Sequence, residues 1–354
     1  MKEVFKMDLN DIKTTDFDYD LPEELIAQTP LTDRKTSRMM VLHMKDGSYE
    51  HKHFYDIVDY FHEGDVIVRN NTRVIPARLF GTKEETGAHV ELLLLRQMEN
   101  NIWECLVGNA KVVKLGTVVS FHDGRLKAQC VEIGDKGLRK FKMIYEGIFN
   151  EILDQLGEVP LPPYIHEKLN DPERYQTVYS KIEGSAAAPT AGLHFTKEIF
   201  DALRKKGVTV VDVTLHVGLG TFRPMDTEHV KDHDMHAEVC MMSKEAADTL
   251  NQAKAEGRRI FAIGTTSVRT LESVWNKYGK FEECSMETKL FIYPGYTYHT
   301  INGMLTNFHL PKSTLIMMIC ALAGYENVMQ AYKEAVKEKY RFFSFGDCML
   351  LTDE

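Results

Sequence analysis

Between residues 78 and 145 the chain reads as a succession of short strand candidates with no helical stretch among them. Alternating or β-branched runs occur at 78–81, 89–95, 102–107, 117–122, 126–133 and 138–145. Asp123-Gly124 and Gly134-Asp135 supply turn signals between some of them. Strands that follow one another this closely pair as antiparallel neighbours, because a parallel return needs a crossover of about a dozen residues or more. The segment 76–147 is therefore expected to form a small all-β domain, a barrel or a sandwich.

The flanks have a different texture. Residues 1–75 hold a short helix candidate after Pro22, a strand at 39–43, a helix at 54–61 and a buried strand that begins at Asp65. Beyond 148, helix candidates at 148–156, 197–206, 244–256, 267–278, 314–323 and 326–339 alternate with strands at 208–217, 259–263 and 289–292. Such alternation favours an α/β layer or barrel. A chain of 354 residues accommodates one large or two domains. The expected architecture is a barrel-like α/β main domain, 1–75 and 148–354, interrupted by an antiparallel β-barrel.

Charge and composition narrow the function classes. The net charge of −9 (43 − 52) argues against coating nucleic acid, which needs Lys and Arg at the phosphates. It leaves room for a local basic patch. The six cysteines are spread singly, with no CxxC pair, and are expected to be free thiols. No apolar stretch follows Lys2, Glu3, Lys6 and Asp8, so no signal peptide is expected. The run 315–323 is too short to cross a bilayer. A soluble, cytoplasmic protein is the expectation.

Several stretches could carry chemistry. Small residues from Gly184 to Gly192 let a backbone lie close to a ligand or equally to a neighbouring element, and Thr196 can cap the helix that follows. His216-Val-Gly-Leu-Gly after a strand offers a GxG, but Pro224 stands where a nucleotide-loop helix would open, which tells against a dinucleotide loop. Gly264-Thr-Thr-Ser ends a buried strand, where α/β folds bind ligands, although ordinary capping explains it as well. Arg269 and Glu272, three apart, are placed to pair with each other.

His229, His233 and His236 with Asp232, Asp234 and Glu238 do not complete a defined metal set, and acid/base work by His236 or Glu238 is the better reading. Lys312-Ser313-Thr314 lacks the glycine loop of a Walker motif, yet Asn307, His309 and Lys312 make a polar loop before a helix. The basic and aromatic residues at 174–179 and 340–345 resemble stacking platforms for unpaired nucleotides, and also buried helix ends.

Taken as blocks, these stretches resemble the S-adenosylmethionine:tRNA ribosyltransferase-isomerase family. The blocks are LPEELIAQTPLTDR from Leu21, DVIVRNNTRVIPARLFG from Asp65, GEVPLPPYI from Gly157 and ERYQTVYSKIEGSAAAPTAGLHF from Glu173. They continue with VTLHVGLGTFRP from Val213, HDMHAE from His233, AIGTTSVRTLES from Ala262, FIYPGY from Phe291, LTNFHLPKSTLIMM from Leu305 and YRFFSFGDCMLL from Tyr340. The match runs in order from about residue 17, which leaves Met7 as an alternative start.

The resemblance implies an α/β domain with an inserted antiparallel barrel. It also implies transfer and isomerisation of the ribosyl part of S-adenosylmethionine onto the aminomethyl group of 7-aminomethyl-7-deazaguanine at the tRNA wobble position. Adenine and methionine would leave, S-adenosylmethionine would be consumed as co-substrate, and no cofactor or metal would be needed. A monomer is expected.

Within the matching blocks, His194, His216, His236 and Glu238 are the implied acid/base groups. Arg73, Thr190, Arg223, Thr265, Thr266, Arg269, Asn307, His309 and Lys312 would position donor or phosphate, and Tyr175 and Arg341 would touch RNA. A basic groove between the domains, near His216 and His236, is expected to receive the tRNA. The rival readings are a methyltransferase using the His216–Gly220 loop and a non-catalytic RNA-binding module built on the β insert.

Overall fold

A computed structural model describes residue 9 and residues 11–167, 169–218 and 225–353. Strands β1 (Arg38–His43) and β2 (Tyr49–His53) form an antiparallel pair, followed by β3 (Val66–Asn70) and the short β4 (Thr72–Val74). The β-rich segment supplies β5 (Arg78–Lys83), β6 (His89–Gln97), β7 (Ile102–Gly108), β8 (Val118–Phe121), β9 (Leu126–Ile133) and β10 (Leu138–Tyr145). These six close into an antiparallel barrel in the order β10-β7-β6-β5-β8-β9. Period-two alternation fills it: Leu79, Val90, Leu92, Trp103, Phe121 and Phe141 point inward and are buried, while Phe80, Val131 and Ile144 face outward. Helix α1 (Phe149–Leu156) packs against the barrel, with Leu153 in its core and Phe149 against Trp103 and Tyr145.

The remaining strands are β11 (Ile182–Ser185), which pairs with β4, and β12 (Thr209–His216), β13 (Glu238–Met242), β14 (Ile260–Ile263), β15 (Cys284–Thr288), β16 (Gly303–Asn307) and β17 (Cys348–Thr352). With β1 to β3, the last six make a nine-stranded mixed sheet in the order β15-β13-β12-β3-β14-β16-β17-β1-β2. The expected α/β class with an antiparallel barrel is what forms. The closed element is the six-stranded one, and the large sheet runs between two ends, β15 and β2.

The near-continuous apolar strands of that sheet are explained by cover on both faces. Val66, Val68, Ile260 and Ala262 face one core, shared with α3 (Lys244–Ala255), α4 (Gly264–Tyr278), α5 (Thr314–Ala323) and α6 (Tyr325–Lys337). Ile67, Phe261 and Ile263, offset by one residue, face the other, with Ile199, Phe200 and Leu203 of α2 (Lys197–Lys205) and with Phe54. Each such Val, Ile, Leu or Phe side chain contributes about 1.5–3 kcal/mol on burial. Among the described residues no helix is long and apolar enough to cross a membrane, and the six cysteines are free.

Four local expectations need correction. The helix after Pro22 is a single 3-10 turn, Glu23–Leu25, and 54–61 is a 3-10 helix, Phe54–Tyr60, rather than an α-helix. The strand placed at 289–292 is instead Cys284–Thr288; the apolar residues after it, such as Ile292, pack into the core without a ladder partner. The helix placed at 267–278 begins at Gly264, so Thr265, Thr266 and Ser267 lie in its first turn rather than capping it. Gly264 has φ +79°, a left-handed conformation that lets the chain turn from strand to helix without a linker.

Candidate functional site

A cavity opens where the barrel meets the main sheet. The cavity there is about 370 Å³, with His216, His236, Glu238, Gly184 and Gly218 on one side and Arg96, Trp103 and Leu138 of the barrel on the other. That is within the usual range for a small-molecule site. Ion pairs Arg96–Glu287 and Lys136–Asp226 tie the barrel rim to the main body beside it.

Glu238 opens β13 and is almost fully buried. One carboxylate oxygen accepts from the Gly218 N–H at 2.9 Å and lies 3.1 Å from His236 Nε2; the other is paired with Arg269 on α4. Burial alone would raise this carboxyl, but Arg269, His236 and the Gly218 amide outweigh it and hold the group down to about 2. Glu238 therefore stays ionised and acts as an acceptor that orients His236. Arg269 is buried as well, and its second terminal nitrogen, Nη2, has no partner among the described residues. The expected Arg269–Glu272 pair does not form: Glu272 is taken by Tyr296, Thr300 and the His299 N–H. A buried guanidinium needs a buried carboxylate, and β13 brings Glu238 to it.

His216 ends β12, opposite Val239 of β13. Its Nδ1 lies 2.8 Å from Thr72 Oγ1. Its ring covers Gly184, where a Cβ would come within 2.9 Å of Cε1 and Nε2. Burial lowers its pKa, so the imidazole is neutral at neutral pH. Among the described residues nothing is bonded to Nε2.

A second, smaller cavity of about 70 Å³ has Val217, the residue before Gly218, in its wall and collects Thr190 with Thr265, Thr266, Asn307 and His309 from the ends of β14 and β16. Such a volume corresponds to about two waters. Thr266 Oγ1 is buried there with no hydrogen-bond partner among the described residues, which marks it as available to a polar ligand, while the Asn307 side chain lies against the His194 imidazole. His309 is bonded through Nε2 to Thr306 Oγ1 at 2.7 Å, and burial pushes it down to about 3. It is a neutral hydrogen-bonding group and not an acid.

The other candidates lie elsewhere. His194 lines a separate cavity of about 30 Å³ with Arg34 and Arg174, is nearly fully buried, and is pushed down to about 4, chiefly by burial. It is therefore a packed core histidine rather than an acid/base group of the larger cavity. Tyr175 is fully buried between Phe345 and its neighbours and offers RNA no face. Arg73 is paired with Glu173 and bonded to Ser180 Oγ at 3.1 Å; it lines a groove of about 720 Å³ that meets the central cavity at Glu183. Lys312 pairs with Asp18 at the surface, and Arg341 donates to the Thr29 carbonyl. Arg223 lies outside the described residues.

The expected basic groove is also not what lines the cavity. Among the described residues its arginine, Arg96, is paired with Glu287, while Glu104, Glu183 and Glu238 contribute carboxylates. Asn70 and Thr72, not among the expected site residues, prove to hold His216, and Gly184, from the expected small-residue stretch, lies under its ring. Asn70 and Thr72 stand beside Arg73 in a block already singled out.

Comparison with known proteins establishes the family. The family model described as queuosine biosynthesis protein matches residues 14–351. A protein of Staphylococcus haemolyticus named S-adenosylmethionine:tRNA ribosyltransferase-isomerase is 58% identical over 336 residues, 95% of this chain and 98% of that one. A crystal structure of the S-adenosylmethionine tRNA ribosyltransferase of Thermotoga maritima is 39% identical, covers 95% of this chain and 99% of its own, and superposes with a TM-score of 0.55. The chain belongs to the queuosine-biosynthesis family of S-adenosylmethionine:tRNA ribosyltransferase-isomerases.

Proposed function

We propose that this enzyme moves the ribosyl part of S-adenosylmethionine onto the aminomethyl group of 7-aminomethyl-7-deazaguanine at the wobble position of tRNA. The products are epoxyqueuosine-tRNA, adenine and methionine, and S-adenosylmethionine is a consumed co-substrate, with no further cofactor. The observation that carries this reading is the pairing, around one 370 Å³ cavity, of a neutral histidine with an ionised carboxylate–histidine pair.

The chemistry asks for those groups. The sulfonium acidifies the C5′ hydrogen, which a base must remove, and neutral His216 suits that role. His236, oriented by Glu238, serves the second proton transfer, at the attacking amine or the departing adenine. Thr266 in the smaller cavity and the buried Arg269 Nη2 supply polar groups for the donor substrate. The barrel forms the opposite wall, so the modified base would enter between the two bodies.

Purified protein incubated with S-adenosylmethionine and tRNA bearing the aminomethyl base tests the reading. Adenine and methionine should appear only with that tRNA. S-adenosylhomocysteine instead would make the enzyme a methyltransferase, and RNA binding indifferent to S-adenosylmethionine would make it a binding module.

A further inference from the structure

We infer that Thr72 is a positioning residue that holds His216 in the Nδ1–H form, so that the Nε2 lone pair faces the cavity as the base. The inference rests on the reaction proposed above and adds to it which ring nitrogen works and what fixes it.

The geometry is a matter of counting protons. Thr72 is fully buried, so no water competes for its hydroxyl. That oxygen has two neighbours: the Ile182 carbonyl at 3.4 Å and His216 Nδ1 at 2.8 Å. A carbonyl can only accept, so a hydroxyl proton turned to Ile182 leaves the Thr72 oxygen to accept from Nδ1–H, which is the arrangement we assign. A neutral imidazole with its proton on Nδ1 has a lone pair on Nε2. The His216 ring lies over Gly184, where any Cβ would come within 2.9 Å of Cε1 and Nε2, and φ of +141° at Gly184 further disfavours other residues.

The support is itself rigid. Asn70 Oδ1 accepts from the Thr72 and Leu215 N–H groups at 3.1 and 3.0 Å, and its Nδ2 donates to the Leu215 carbonyl at 2.9 Å. One side chain thus ties the strand that carries Thr72 to the strand that carries His216.

In the step assigned to this pair, the C5′–H bond breaks and its electron pair stays on the carbon beside the sulfonium. The proton goes to Nε2. The ring is then protonated on both nitrogens, with Nδ1–H still given to the Thr72 oxygen, so no group has to move.

Histidine labelled with ¹³C and ¹⁵N in the full-length protein reports the tautomer directly by NMR, with the His216 signal assigned by its loss in His216→Asn. The wild type and Thr72→Ser should show the Nδ1–H form, and Thr72→Val should shift toward the Nε2–H form. With the aminomethyl tRNA, Thr72→Val should lose roughly ten- to a hundredfold in kcat with KM for S-adenosylmethionine unchanged. Thr72→Ser should recover within about threefold of wild type.

An Nε2–H form in the wild type, or a Thr72→Val variant that keeps both tautomer and kcat, would overturn the role of Thr72 while leaving the reaction in place. A wild-type enzyme that releases no adenine from S-adenosylmethionine would overturn the reaction and the base role together.

Discussion

His216 and His194 are attached to the fold in the same manner. Each presents Nδ1 at 2.8 Å to a buried hydroxyl, Thr72 for one and Ser37 for the other, and each hydroxyl has a backbone carbonyl within reach, at 3.4 Å from Ile182 and 3.2 Å from Arg34. The surroundings differ. His216 looks into a 370 Å³ cavity shared with Glu238, whereas His194 is sealed beside Phe54 at a 30 Å³ void. Identical bonding thus yields a working group in one place and a structural strut in the other. What a histidine can do is decided by the space at its second nitrogen.

Replacing each ring tests this contrast most severely. His216→Asn, which keeps a polar atom toward Thr72, should lower kcat by about 10²- to 10⁴-fold, the usual worth of a general base. His194→Asn should leave kcat within about threefold and instead cost about 1–3 kcal/mol of stability, since a buried bond is disturbed. Steady-state kinetics and urea unfolding of both variants give the comparison, and equal losses of kcat would erase it.

Acid unfolding sharpens the same contrast. His194 protonates near 6.5 in an unfolded chain but only near 4 in the fold, because burial, with Arg34 and Arg341 nearby, disfavours its charge. Between those values the unfolded state binds more protons, so this contribution is complete above pH 6.5 and is lost as the pH falls toward 4. The size is about 3 kcal/mol. His309 follows from 6.5 down to about 3, whereas Glu238, whose carboxyl moves from 4.5 to about 2, loses its share only below pH 4.5. Denaturant titrations at pH 7, 5.5 and 4 should therefore show stability falling well before carboxylates protonate. His194→Asn should flatten that early slope, and an unchanged slope would place the titrating group elsewhere.

How much of this was readable in advance depended on the range of the interaction. The barrel strands were legible because alternation along one strand is a local property: each of the six runs became a strand, and Leu126–Ile133 and Leu138–Tyr145 kept both ends. Gly303–Asn307 and Cys348–Thr352 were not seen, since five residues carry little pattern and their identity as strands comes from pairing with one another across some forty positions. The site shows the same division. His216, His236 and Glu238 were picked out as chemically capable, and their meeting depends on β12 pairing with β13. The partners of Arg269 and the role of Thr72 could not be read, because Arg269 finds Glu238 31 positions away and Thr72 finds His216 144 positions away.

The mildest change bears on the strut alone. Ser37→Ala removes the hydroxyl that donates to the Arg34 carbonyl and so is left to accept from His194 in its Nδ1–H form. At a nearly sealed site no water replaces it, so Nδ1–H is left buried without an acceptor, at a cost of about 1–3 kcal/mol. The imidazole can relieve part of this by moving its proton to Nε2, where the Asn307 amide already lies close. A loss near the lower end of that range, with kcat unchanged, is therefore expected from thermal melts and turnover measured together. A fall in kcat matching that of Thr72→Val would show that the two hydroxyl–histidine pairs serve the same chemistry, and the space at the second nitrogen would no longer explain their difference.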